Sequence, residues 1–407
     1  MSGVTRTGGR RGRTHRIVIA GAGHAAMLAL TRLGPPPPGA EITLVSRGDA
    51  AHYSGMVPGW IEGIYPLEAM KVPLASFAAR HSVDLVSGDI AAADENHLVL
   101  ADGTCLAFDT LVVNTGSETA RTGPLAAPSI IPAKPFDSLV AGLAPRLGPA
   151  TGVEAFGGAA YDAPACGGAV SGAPGGRGAS SRGIAVRDAG AAVPGCGGAA
   201  SFAVIGAGPA GTEIALSLAA RRPEAAVTLV DRAEVPLAAF PPAARRRALR
   251  ALARRGVTLR LGTVDVPAAD VTLAVTGPAP PAWLAATPFA RTADGYLATD
   301  TAMRSTSHPH VLAVGDSATR EGDPRPKAGV FSVRAGPPLA EAIRRRAAGL
   351  PLAPVTLQRN ALVLLSTGGR SAIGTRNGLT VEGRLVWRLK DHLDQAFMAQ
   401  LKGSALM

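Results

Sequence analysis

The sequence predicts an α/β chain with two nucleotide-binding units, and three observations carry that prediction. The first is an apolar run over 17–20, then Gly21-x-Gly23-x-x-Ala26, then an apolar pattern of helical period to residue 30. The second is a repeat of this design at 202–216, with Gly206, Gly208 and Gly211 in the three slots, 185 positions beyond Gly21. The third is that the copies stay in register, because Ile-Thr-Leu-Val-Ser at 42–46 maps without a gap onto Val-Thr-Leu-Val-Asp at 227–231. In each copy the residue closing the second strand stands 20 positions past the third slot: Ser46 after Ala26, Asp231 after Gly211. A ribose-binding acid is expected there.

Each position has a physical reason. Gly21 and Gly206 allow the tight turn out of the strand, and Gly23 and Gly208 let the backbone approach a pyrophosphate. The third slot keeps helix and strand close, and the helix N-terminus presents its N–H groups to the phosphates. His24 and Ala25 open the first helix and Pro209 and Ala210 the second. In the first unit Ser46 can make a single hydrogen bond to a ribose but lacks the charge of an acid, and Arg47 follows it. In the second unit Asp231 suits the ribose hydroxyls of NAD and repels a 2′-phosphate, while Arg232 pulls the other way. NADH is the expected coenzyme there, with NADPH the alternative.

Composition bounds the rest. A chain of 407 residues suits two or three domains with a large core, and 47% apolar residues mark a globular protein. No apolar run reaches the ~20 residues of a membrane-spanning helix. Residues 1–14 read as a disordered basic lead; the apolar stretch behind it is the nucleotide turn, not a secretory signal, so a cytoplasmic protein is expected. The net charge is +11, with arginines clustered at 6–16, 245–255 and 344–346, yet aromatics are only 4%. Nucleic-acid binding is not expected on that balance. Cys105, Cys166 and Cys196 form no Cys-x-x-Cys, and with the eight histidines they show no metal-ligand spacing.

Along the chain, 33–39 is a helix stop and loop, and 52–65 reads as a shaped loop, not a regular helix, because of its glycines and prolines. Short strands follow at 83–86, 98–100 and 110–113, with Asp102-Gly103 as a hairpin signal. Residues 141–200 are almost entirely Gly, Ala, Pro, Ser and Arg, a composition that cannot bury enough apolar surface to order itself. They read as a flexible insert.

At Tyr53-Ser54-Gly-Met-Val-Pro58-Gly the chain resembles flavoproteins related to type II NADH dehydrogenases, within the pyridine nucleotide-disulfide oxidoreductase superfamily. It is similar in particular to the flavoprotein domain found alone or fused to selenide, water dikinase. The resemblance extends to Asn114-Thr115-Gly116-Ser117, to the strand ending in Gly315-Asp316, and to Pro326-Lys327-Ala-Gly329-Val-Phe-Ser-Val-Arg. It implies FAD at the first site, with Asp316 on the ribityl chain. Tyr53, Ser54 and Pro58 then border the flavin ring, and Lys327 stands at the start of a helix aimed at its pyrimidine edge. Disulfide reductases carry a cysteine pair near Tyr53; none stands here. Glu213, two residues past Gly211, resembles the acid of the nicotinamide domains; an ordinary first-turn acid is its other reading. Thr276-Gly277 ends the second unit after an unusually short connection from residue 262.

The resemblance thus implies Rossmann-like FAD and NAD(P) domains, the FAD domain in two pieces at 15–140 and 297–350 and the NAD(P) domain, 201–296, inserted. A C-terminal α/β segment, 351–407, carries Val386, Leu389, Leu393 and Phe397 as a helical stripe. Peripheral membrane contact on the cytoplasmic face, a core helix and a homo-oligomer contact all fit that pattern. The expected activity is hydride transfer from NAD(P)H to FAD and onward passage of electrons to a small-molecule, quinone-like acceptor. The alternatives are a sulfide or selenium-compound oxidoreductase, or a flavin-binding protein with little turnover.

Overall fold

A computed structural model describes residues 14–148 and 200–403. The basic lead, most of the expected insert, Cys166 and Cys196 lie outside the described residues. Two five-stranded parallel sheets organise the remainder. In the first, His15–Ala20 is central, flanked on one side by Ala40–Ser46 and Asp84–Ser87 and on the other by Thr110–Val113 and Val311–Ala313. In the second, Ser201–Ile205 is flanked by Ala226–Asp231 and Thr258–Leu261 on one side and by Val271–Ala274 and Ile131–Pro132 on the other. Each sheet reverses its strand order beside its first strand, and the crevice at that point is where such sheets bind ligands.

Burial explains the strand composition. Ile17, Ile19, Leu44, Leu111, Val112 and Leu312 of the first sheet are almost wholly buried, as are Phe202, Val204, Leu229 and Leu273 of the second. Parallel strands covered on both faces read as continuous apolar runs. The first sheet is discontinuous in sequence and the second lies between its pieces. A two-stranded link, Glu118–Thr119 with Pro278–Ala279, crosses between them. Between Thr258–Leu261 and Val271–Ala274 no strand intervenes, which fits the short connection expected after residue 262.

Two expectations are corrected. Residues 52–65 are not only loop: Val57–Glu62 is an α-helix, preceded by a 3₁₀ turn at Ser54–Met56. Pro58 sits in its first turn, where a missing N–H costs nothing, and Gly63 ends it in the left-handed region. The second correction concerns the C-terminal helix, Arg384–Lys402, which follows a three-stranded antiparallel sheet. Leu389 and Leu393 of the expected apolar stripe are exposed, at 45% and 46%, and Leu385 is 76% exposed. Lys390 and Asp394 are buried instead, at 9% and 6%. The helix turns a charged face inward because hydrogen-bond partners await those charges there, as described below.

Candidate functional site

Both glycine-rich turns fold as expected. Helix His24–Leu33 begins at Gly23 and helix Pro209–Arg221 at Gly208, and neither has a side-chain cap or a first-turn acid. The N–H groups of His24 and Ala25 in the first, and of Ala210 and Gly211 in the second, face outward from these turns, and the dipole favours an anion. A Cβ on Gly208 would meet nothing within 4 Å, so that face of the turn is open, whereas one on Gly211 would come within 1.7 Å of the Gly206 carbonyl. The second and third glycines therefore do different jobs: one leaves room for a phosphate, the other lets the helix touch the strand.

In the first turn the neighbour is Asn114. Gly21 has φ +97°, and Cβ atoms on Gly21 and Gly23 would come within 2.7 Å and 2.4 Å of the Asn114 carbonyl oxygen. Asn114 is 2% exposed. Its Oδ1 accepts from the Ala26 N–H at 2.9 Å, and its Nδ2 donates to the Val314 carbonyl at 3.0 Å. One amide thus clasps the first helix to the strand that delivers Gly315 and Asp316. Thr115 and Gly116 continue from it, and Ser317 Oγ accepts from the Gly116 N–H at 2.8 Å. Asp316 itself accepts from Lys134 Nζ at 2.7 Å and from Ser117 Oγ at 3.2 Å. The sequence motif at 114–117 contains Asn114 and Ser117 but does not name their partners, and Lys134 and Ser317 carry no signal in the sequence that points to this cluster.

The long helix Gly329–Ala347 packs along His24–Leu33, and Gly329 lies beside His24, where an added Cβ would sit 3.8 Å from the imidazole. Burial depresses His24, so it is neutral at physiological pH. Lys327 Nζ donates to the Ala318 carbonyl and to Thr319 Oγ1 and lies 3.9 Å from the centre of the Tyr296 ring. Burial brings Lys327 down to about 8. It lines a cavity of about 390 Å³ with Asp294, Tyr296 and Pro280. The structure places Ser46 at the end of its strand and Arg47 beside Asp89, 3.6 Å away.

In the second unit Asp231 accepts from the N–H groups of Ala207 and, at 2.8 Å, Ala233, which fixes its carboxylate against the glycine turn. Arg232, Pro209 and Ala210 are exposed. Thr276 Oγ1 donates to the Ala120 carbonyl, and the Gly277 carbonyl accepts from the Ala120 N–H at 3.0 Å. Both therefore tie the end of this unit to the linking strand pair. Glu213 lies past the first turn and is not idle. It accepts from the Ser366 N–H at 2.7 Å, and burial pushes it up to about 7 against the pull of Lys390. Glu62, raised by burial, accepts from Ser217 and from the Gly369 N–H nearby.

The loop at 53–58 meets the C-terminal helix. Tyr53 donates to Asp394 at 2.9 Å, and Tyr65 donates to Asp391. Lys390 Nζ donates to Asp394 and to the Gly55 carbonyl, each at 2.6 Å. The Tyr53 ring packs edge-on to His24 with centroids 5.3 Å apart, and on Phe397 at 4.7 Å. Burial and the Asp394 carboxylate push the Tyr53 phenol well above the ordinary range. Ser54 opens the 3₁₀ turn, and Pro58 is buried in the helix after it.

Residues 155–266 match the sequence profile of the family described as pyridine nucleotide-disulphide oxidoreductase. That match spans about a quarter of the chain, around the second glycine turn. No curated protein matches it in sequence. Solved structures share the fold at low identity. The sulfide:quinone oxidoreductase from the hyperthermophilic bacterium Aquifex aeolicus has a TM-score of 0.69 at 15% identity, over 96% of this chain and 92% of that one. NDH2 from Plasmodium falciparum in complex with NADH gives 0.68 at 10%, over 96% and 98%. Water-forming NADH oxidase from Lactobacillus brevis bound to NADH gives 0.64 at 16%, over 89% and 75%. These likenesses extend the fold to both sheets and the C-terminal segment.

Proposed function

We propose that the protein is a flavin-dependent oxidoreductase that binds FAD at the first glycine turn and NADH at the second, and passes electrons to a small-molecule acceptor of the quinone class. The observation that carries the reading is the pair of helix N-termini with glycine N-caps, each behind a glycine turn at the reversal point of its own parallel sheet. The first has further groups suited to FAD: the clasp of Asn114 brings Asp316 beside it, and Thr115 and Gly116 close the same edge. When bound, FAD supplies hydride acceptance and stepwise electron release. The protein's part is orientation and electrostatics. Gly21, Gly23, His24 and Ala25 hold the pyrophosphate; Ser46 and Arg47 stand at the adenosine ribose; Asp316 holds the ribityl chain; Tyr53, Ser54, Pro58, Lys327 and Gly329 line the ring.

At the second site Gly206, Gly208, Pro209, Ala210 and Gly211 cradle the coenzyme phosphates. Asp231 selects NADH, since a 2′-phosphate would meet its carboxylate, and exposed Arg232 limits the discrimination. Glu213, with Thr276 and Gly277, lies on the nicotinamide side. A sulfide or selenium-compound donor would need a thiol beside the flavin; among the described residues the one cysteine, Cys105, lies exposed on an outer strand, Cys105–Ala107, and Cys166 and Cys196 lie outside them. The outward leucines of the C-terminal helix favour contact with a lipid surface, where a quinone acceptor would be met. Arg384, Arg388 and His392 are exposed among them, and cations flanking an apolar stripe suit anionic headgroups. The test of the acceptor is reoxidation of the NADH-reduced enzyme by a short-chain quinone without oxygen. Reoxidation within a turnover time is expected; reduced enzyme indifferent to quinones but reoxidised by another acceptor would sink the quinone assignment.

A further inference from the structure

The C-terminal helix buries a complete ion pair against the loop that carries Tyr53. Lys390 and Asp394 are one turn apart, less than a tenth exposed, and joined at 2.6 Å. Neither is idle toward the loop: Asp394 receives the Tyr53 hydroxyl through its other oxygen, and Lys390 holds the Gly55 carbonyl. The Tyr53 ring leans on His24, the first residue after the Gly23 turn. The chain of contact from pair to glycine turn is thus only one side chain long. A helix gains little stability from burying a charge pair where two apolar residues would fit, because desolvation offsets the attraction. Two leucines, Leu389 and Leu393, lie exposed one position away. The arrangement makes sense if the charges are needed where they are.

We propose that Asp394 is a positioning residue for the flavin-facing loop and that, with Lys390, it forms a balanced charge pair that sets the potential at which the bound flavin is reduced. This rests on the proposed binding of FAD at the first site. Reduction adds negative charge, so an unbalanced cation nearby favours it and an unbalanced carboxylate opposes it. Two other acids, Glu213 and Glu62, act on the same lysine, and the pair therefore sits in a cluster whose net charge a single substitution changes.

The experiment is the midpoint potential of the flavin in the full-length holoprotein, by equilibration with redox dyes at pH 8. Asp394→Asn should raise the potential, Lys390→Gln should lower it, and Asp394→Glu should stay near wild type. A merely structural role would move the first two the same way or move neither, and either result overturns the proposal. Variants that keep a native circular dichroism spectrum but bind no flavin overturn it too, since the pair would then serve packing only; Asp394→Glu guards against loss of the fold itself. Wild-type protein that takes up no FAD would sink the functional reading and this inference together. Wild-type flavin reduced by NADH beside unmoved variant potentials would sink the inference alone.

Discussion

Asn114 shows how much one buried side chain can organise. Replacing it with alanine would leave the Ala26 N–H and the Val314 carbonyl without partners in the interior, at about 1–3 kcal/mol for each group. Asn114→Ala should lower the urea midpoint of unfolding accordingly and speed release of FAD. Unchanged stability and release would show that the clasp carries nothing. Glu213 gives a pH signature. Its folded-state value of about 7 lies above that of an exposed glutamate, so folding favours the protonated form. That cost is absent below about pH 4 and fully present above pH 7, amounting to roughly 3 kcal/mol. Stability should fall as pH rises through this window, and Glu213→Gln should flatten the fall, as thermal melts between pH 5 and 8 would reveal. The glycines and Asp231 were legible in the sequence because their partners are the turn itself. Asn114, Lys134 and Asp394 were not, because the groups that give them meaning lie 88 to 341 positions away.

At the scale of elements, the resemblance at 326–334 implied a helix starting near Lys327, and Gly329–Ala347 is helical although Pro337 and Pro338 stand inside it. Residue pattern misjudged two others. Val57–Glu62 is too short for a period to register, and its proline and glycines argue for a loop until their terminal positions are known. In Arg384–Lys402 the apolar stripe was legible but its direction was not. The choice of face was made by Tyr53, Tyr65 and the Gly55 carbonyl, which offer hydrogen bonds to charges and nothing special to leucine. Since no helix among the described residues is long and apolar enough to cross a membrane, any lipid contact through these leucines would be superficial. Replacing Leu385, Leu389 and Leu393 together by serine should abolish co-sedimentation with anionic lipid vesicles and leave soluble NADH oxidation intact. Equal sedimentation of the two proteins would refute that role of the helix.

Across the whole molecule, the repeat at 185 positions foretold two sheets of the same design, and the return of Val311–Ala313 to the first sheet makes one of them discontinuous. The inserted unit was readable because each glycine turn fixes a strand, a helix and the next strand in sequence. The place of Ile131–Pro132 in the second sheet was not, since a two-residue strand leaves no pattern. In the proposed reading the two glycine turns hold FAD and NADH, and the short pair at 118–119 and 278–279 links the two units. Absorbance of the flavin band during anaerobic titration with NADH tests this arrangement most directly, on wild type and on Asp231→Ala. Stoichiometric bleaching of the wild type, with the variant keeping its FAD but needing at least tenfold more NADH, is the predicted result. A flavin band that neither NADH nor NADPH can bleach would contradict hydride transfer between the two sites.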